Sequence, residues 1–156
     1  MRGPFTFTKD RAEPRTGARR DLQKERFGAY FPRVFAYVCP GTRDEAAARQ
    51  VVAAAFVETF ALPDLREEEF EVELFQAARR LASSGEFRAR RHADGLNARE
   101  REVISLVFDA QLDRAQIGRV LAIREETVIA ALMRGLRKIQ AHRPAEGAGA
   151  TVPSYS

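Results

Sequence analysis

The sequence predicts an all-α fold, and two observations carry that reading. Apolar residues recur at three- and four-residue steps in several separate runs. No stretch alternates with the period of two that a half-buried strand requires, and β-branched residues are sparse. With 156 residues, 45% of them apolar, the chain has room for one ordinary domain or two small ones, and enough apolar content to bury a core.

Residues 1–21 are rich in Arg, Thr, Gly and Pro and have no periodicity, which predicts a disordered basic arm. From Leu22 the pattern turns helical. Phe27, Tyr30, Phe31, Val34, Phe35 and Val38 form one apolar stripe, with Pro32 inside it as a kink or a broken start. "CPGTRD" is a stop, a turn and a new start, in which Thr42 or Asp44 is placed to cap the next helix. Arg43 to Ala61 is alanine-rich and helical, with Val51, Val52, Ala55, Phe56 and Phe60 on its buried side, and "LPDL" ends it. A third helix starts among glutamates, which favour a helix N-terminus, and carries Phe70, Leu74, Ala77, Ala78 and Leu81 up to "SSG" at 83–85.

After Gly95 the pattern restarts. Asn97 with Glu100 three residues on is a relative of the capping box, and Val103, Ile104, Leu106, Val107 and Phe108 supply the apolar content of the helix. Asp113 opens a short helix with Ile117, Val120 and Leu121 inside, and a turn falls at Ala122–Ile123. Thr127 to Gln140 then places Val128, Leu132, Leu136 and Ile139 on one stripe. The predicted organisation is an arm (1–21), a helical domain (22–91), a short linker (92–95), a second helical domain (96–140) and a disordered tail (141–156).

Composition excludes several function classes. Cys39 is the single cysteine, and with only His92 and His142 beside it no zinc-ligand spacing exists. A half-buried thiol near a turn is the expected state of Cys39. There is no glycine-rich phosphate loop and no Ser/His/Asp set, so the reading is of a non-enzyme without cofactor or small-molecule substrate. No apolar run approaches the ~18–20 residues of a membrane span, and the first residues lack an apolar signal-peptide centre. A cytoplasmic protein without membrane insertion is expected.

Charge is unevenly placed. Residues 1–26 hold eight Lys/Arg against four acids, which equals the whole net surplus of +4. Beyond them, Arg43 to Glu73 is acidic and Arg79 to Arg91 is basic, with only Glu86 opposing five arginines. Such blocks suit a chain that meets protein with one surface and nucleic acid with another, and they also suit a solvated helical protein.

The two last helices have helix-turn-helix spacing, in which the first props the second and the outer face of the second enters the major groove. "LNAREREVISLVFDAQLDRAQIGRVLAIREETVIAALMRGLRKI" resembles region 4 of bacterial sigma factors, through Leu96, Arg101-Glu102-Val103-Ile104, Leu106, Ile117, Leu121, Ile123, Thr127-Val128, Arg134 and Leu136. The helix-turn-helix of LuxR-type regulators is similar to it almost as well. Upstream, "RFGAYFPRVFAYVCPGTRDEAAARQVVAAAFVETFALPDL" looks like the opening of region 2 in extracytoplasmic-function (ECF) sigma factors. "FEVELFQAARRLASSGEFRARR" resembles their promoter-opening helix. The two modules in this order cover residues 22 to 140.

The resemblance implies a transcription initiation protein that binds core RNA polymerase and the −10 and −35 elements of promoter DNA, with an anti-sigma factor as a further candidate partner. On the last helix and its surroundings it points to Arg114, Arg124, Glu125, Glu126, Thr127, Ile129, Ala130, Met133, Arg134, Arg137 and Lys138 for the −35 element. Arg79, Arg80, Arg88, Arg90 and Arg91 would hold backbone near the −10 element. The candidate polymerase face is Ala48, Arg49, Gln50, Ala53 and Val57.

Departures from the family fall on these surfaces. Aligned on Phe56, an acidic pair and a Gln that grip the polymerase clamp are replaced by Arg49, Gln50 and Ala53. A Trp, an Asn and an Asp of the promoter-opening helix are replaced by Glu73, Arg80 and Ser84. Lys, Ser and Arg after Thr-Val become Ile129, Ala130 and Ala131, which offer base edges no donor or acceptor and at best touch a thymine methyl. Glu125 and Glu126 either accept from cytosine N4 or form the acidic first turn of a helix. The alternative expectation is therefore a sigma-like interaction module that binds polymerase or an anti-sigma partner and reads little DNA sequence.

Overall fold

The computed structural model describes the backbone of residues 13–84 and 95–143; the side chains of residues 13–15 and 84 fall outside the description. Six α-helices and one 3₁₀ turn account for the elements, and no strand occurs among the described residues.

Helix α1 runs Glu13–Val38. Residues 13–21, expected in the basic arm, are its first turns instead. Pro14 sits at the start, where a missing N–H costs nothing, and Ala18, Arg19, Arg20, Leu22, Gln23 and Lys24 are good helix formers. The helix also continues through Pro32. Proline there removes the bond to the carbonyl of Gly28, and both residues face solvent, so water can satisfy that oxygen.

A 3₁₀ turn, Cys39–Gly41, reverses the chain, and the Thr42 hydroxyl donates to the carbonyl of Cys39 at 2.8 Å. Cys39 is half-buried, as expected. Asp44 caps α2 (Glu45–Phe60) by accepting from the Ala47 N–H at 2.8 Å. After the break, α3 spans Glu67–Ser84 with three glutamates in its first turn.

Aromatic packing closes this first half. Phe27 meets Phe56 at 4.8 Å between ring centres, Phe60 stacks on Phe70 at 5.5 Å, and Tyr30 contacts Phe70 at 5.6 Å. Val34, Val52, Ala55, Phe70, Leu74 and Phe75 are buried. Phe27, expected inside, is 43% exposed because it lies at the end of the stripe, covered on one side only.

The second half is α4 (Ala98–Phe108), α5 (Arg114–Leu121) and α6 (Glu125–His142). Val103, Leu106, Ile117, Val120, Leu121, Val128 and Ala131 are among its buried side chains. Phe108, read as part of the α4 interior, is exposed.

The two halves meet along a polar seam. Arg33 donates to the carbonyl of Ala110 at 2.7 Å and pairs with Glu71, whose second oxygen accepts from Gln116 at 2.7 Å. Gln76 donates to the carbonyl of Arg119 at 2.9 Å. Glu102 accepts from Tyr37 at 3.1 Å and from Arg79 at 2.5 Å. Burial, followed by the neighbouring Glu102 charge, pushes the Tyr37 hydroxyl well above the usual tyrosine range, so it is a neutral donor at physiological pH. Beneath the seam the buried side chains of both halves are continuous.

Candidate nucleic-acid interface

Helix α5, the turn after it and α6 form the unit with helix-turn-helix geometry, and each step has a local cause. Asp113 caps α5 by accepting from the Gln116 N–H at 2.8 Å, while the Gln116 side chain accepts from the Asp113 N–H at 2.9 Å. This capping box, not anticipated from the sequence, is legible there as Asp followed three residues later by Gln.

The turn is made by Ala122, which adopts the left-handed conformation at φ 53°, ψ 46°. There the Ile123 N–H donates to the carbonyl of Gly118 at 2.9 Å. The close return of the chain fixes what residue 118 can be. A Cβ on Gly118 would stand 2.9 Å from the Ile123 carbonyl oxygen, closer than unstrained atoms approach. A second glycine, Gly135 on α6, lets α4 approach: a Cβ there would stand 2.6 Å from Ile104 Cδ1.

Helix α6 begins two residues before the expected Thr127, so Glu125 and Glu126 form its first turn. There they complement the positive end of the helix dipole, and Glu125 also pairs with Arg114 at 3.1 Å. Val128, Ala131 and Gly135 point inward. Ala131, grouped by sequence with the reading face, is thus a core residue. Ile129, Ala130 and Met133 point outward together with Glu126, Thr127 and Arg137.

Besides Arg114, paired with Glu125, the candidate cations of this half separate into two groups. Lys138 and Arg134 turn toward Glu100 of α4, at 2.8 and 3.6 Å. The Glu100 side chain is 1% exposed and also accepts from the Asn97 N–H at 3.0 Å, completing a capping box. Lys138, then the Asn97 N–H, hold its carboxyl below the usual glutamate range, so it is ionised at neutral pH. Sequence reading found Glu100 only as a cap; the cations at 134 and 138, one helical turn apart, were the further signal. Arg124 and Arg137, by contrast, have no ion-pair partner among the described residues and face solvent.

The candidates of the first half are less free than the sequence implied. Arg79 is committed to Glu102 across the seam, and Arg80 pairs with Glu58 of α2. Arg88, Arg90, Arg91 and the linker residues 92–94 lie outside the described residues, as does the tail from residue 144. On α2, Ala48 is fully buried and cannot touch a partner, because the helix turns this side into the core. Arg49, Gln50, Ala53 and Val57 are exposed. Val57 is 70% exposed on α2, and Phe27 of α1 is also exposed.

The helix-turn-helix with its supporting α4 can be compared with known families. Residues 93–141 match the family Sigma-70, region 4. That family is DNA-binding and regulatory and is not an enzyme family, and the match takes in α4, α5 and α6 complete but for the last residue, His142. Neither a curated protein nor a solved structure matches the chain. No helix among the described residues is long and apolar enough to cross a membrane, and no group of His, Cys, Asp and Glu there is arranged to hold a metal ion.

Proposed function

We propose that the protein is a sigma-factor-like initiation protein of the ECF type, which joins core RNA polymerase to promoter DNA in the cytoplasm. The Sigma-70, region 4 match over α4–α6, on a folded helix-turn-helix with an outward α6 face, is the observation that supports this reading. In it α6 lies at the −35 element, with Arg124 and Arg137 on phosphates and Ile129, Ala130 and Met133 toward the base edges. Helices α1–α3 act as a region 2-like unit. Arg49, Gln50, Ala53 and Val57 with Phe27 meet the polymerase, and Arg79 and Arg80 approach the −10 element once freed from Glu102 and Glu58. The protein has no bond chemistry of its own; the polymerase makes the RNA.

A second reading is favoured by one specific feature: five of the candidate DNA-binding cations, Arg79, Arg80, Arg114, Arg134 and Lys138, are held by carboxylates of the chain itself. In that reading the protein is a sigma-like interaction module for polymerase or an anti-sigma partner, with weak DNA binding that falls steeply with salt.

The deciding experiment mixes the purified full chain with purified core RNA polymerase and genomic DNA fragments and maps RNA 5′ ends. Discrete start sites that require the chain are expected. A chain that binds core polymerase without producing them supports the second reading. Absence of both core binding and discrete initiation overturns the first.

A further inference from the structure

The outward face of α6 is apolar at its centre. Ile129 and Met133 are 41% and 47% exposed, stand one turn apart on the same side of an 18-residue helix, and are flanked by exposed Ala130 and Thr127. Ile129, Ala130 and Met133 offer no hydrogen-bonding group to a base edge beyond a weak thioether acceptor. Apolar surface of this kind on a protein is an invitation to burial, and the charges around it limit what can cover it. Arg124 at the start of α6 and Arg137 one turn beyond Met133 bracket the face, and neither has an ion-pair partner among the described residues. Arg124 and Arg137 are about 20 Å apart along the helix at 1.5 Å per residue, a span of several base-pair steps. Glu125 is neutralised by Arg114, which leaves Glu126 as the exposed acid of the first turn of α6 without an ion-pair partner among the described residues.

An apolar strip between two unpaired guanidinium groups complements a surface that is apolar in the middle and anionic at both edges. In the major groove, the base-pair feature that is apolar is the C5-methyl of thymine, and phosphates line both rims. We propose that α6 recognises thymine methyl groups: the target is duplex DNA that presents adjacent thymines to Ile129 and Met133, with Arg124 and Arg137 on the flanking phosphates. This rests on the DNA-binding reading above and adds to it the class of base that is read. It also gives the altered residues a positive role, because the same side chains that cannot read guanine or adenine edges gain contact area only where a methyl group is present.

The test compares duplexes that differ only in that methyl group. Preferred duplexes are selected from a random pool with the full chain at about 50 mM salt, a condition that favours detection of weak phosphate-driven complexes. The selected duplex is then measured beside the same duplex with deoxyuridine for thymine. Enrichment of adjacent thymines and a five- to tenfold weaker affinity for the deoxyuridine duplex are expected. Ile129→Ala should reduce this discrimination, and Ile129→Ala combined with Met133→Ala should abolish it, so that the two duplexes bind equally. Arg137→Ala should weaken binding to both duplexes equally and reduce the salt slope by about one. Equal affinity for the two duplexes overturns the proposal and leaves DNA binding standing. No binding to any duplex overturns both. If Ile129→Asp instead removes binding to core polymerase, with binding to the thymine duplex unchanged, the face serves a protein and the proposal fails.

Discussion

The two halves of the molecule are folded by different means. In α1–α3 large rings do the packing: Phe56, Phe60, Phe70, Phe75, Tyr30 and Tyr37 interlock, and the helices are long. In α4–α6 the single Phe, Phe108, is exposed, and the helices are positioned by two capping boxes, two left-handed residues (Gln111 and Ala122) and two glycines at close approaches. Ring packing depends on volume and tolerates many sequences. A turn that admits only certain residues at fixed places leaves a pattern, and the half with that pattern is the half that matches a family. The contrast teaches that the family signal here follows backbone constraint more than burial.

The heaviest blow to this contrast falls on the ring-packed half. Phe70 is fully buried between Phe60 and Tyr30, with the Arg26 guanidinium 4.4 Å above its ring centre. Phe70→Ala should cost about 3–5 kcal/mol, the usual range for a core phenylalanine. Because buried side chains continue from one half to the other beneath the seam, the loss should appear as one earlier urea transition. Tyrosine fluorescence, which in the described residues reports only Tyr30 and Tyr37, and far-UV circular dichroism should coincide. Two separated transitions would mean that the halves unfold independently.

Next in size is the turn. Gly118→Ala forces a Cβ to within 2.9 Å of a backbone oxygen, which cannot rotate away as a side chain can. Such overpacking costs about 1–3 kcal/mol. Gly135→Ala makes an even shorter contact, 2.6 Å, but with the far end of the flexible Ile104 side chain and not with backbone. It should therefore cost less than Gly118→Ala in the same denaturation assay, and the reverse order would show that the turn is not rigid.

How much of the structure is legible in the sequence follows the same division. The all-helical class and most of the buried positions follow from periodicity, which is set by local geometry; Ala48, Val72, Phe75, Ala110, Leu112 and Ala131 are buried without being marked by it. Asn97 and Asp44 as caps follow from side chains that compete with the backbone, and the turn at Ala122–Ile123 from the helix-turn-helix spacing around it. What stayed hidden were pairings between distant segments. Nothing near Glu102 announces Arg79 and Tyr37, and the spacing of Arg134 and Lys138 signals an acid without naming Glu100, because side chains 23 to 65 residues apart leave no shared local pattern. Residues 13–21 were misplaced for a related reason: an Arg-, Gly- and Pro-containing stretch has little apolar periodicity. Its helix is extended from α1, and Arg19 is tied at 3.3 Å to the carbonyl of Phe60.

The seam itself is the third test. Arg79 and Glu102 are both partly exposed, which reduces their mutual attraction, so a double-mutant cycle of Arg79→Ala and Glu102→Ala should return a coupling of about 1 kcal/mol. A coupling near zero would leave the seam to Gln76, Gln116 and Arg33, whose bonds end on neutral carbonyls or on Glu71.

The smallest effect has the opposite sign. Ala122 carries a Cβ in the left-handed region, where that atom crowds the following carbonyl at a cost of about 1–2 kcal/mol. Glycine relieves the crowding but loses about 0.5–1 kcal/mol of backbone entropy on folding. Ala122→Gly should therefore stabilise the chain by a few tenths to about 1 kcal/mol. Four residues apart in one turn, the same exchange of glycine and alanine then raises stability at 122 in one direction and lowers it at 118 in the other. Only a chain that turns at 122 and passes back over 118 produces that pair of signs. A destabilised Ala122→Gly would place the turn elsewhere and remove the geometric basis for directing Ile129 and Met133 outward.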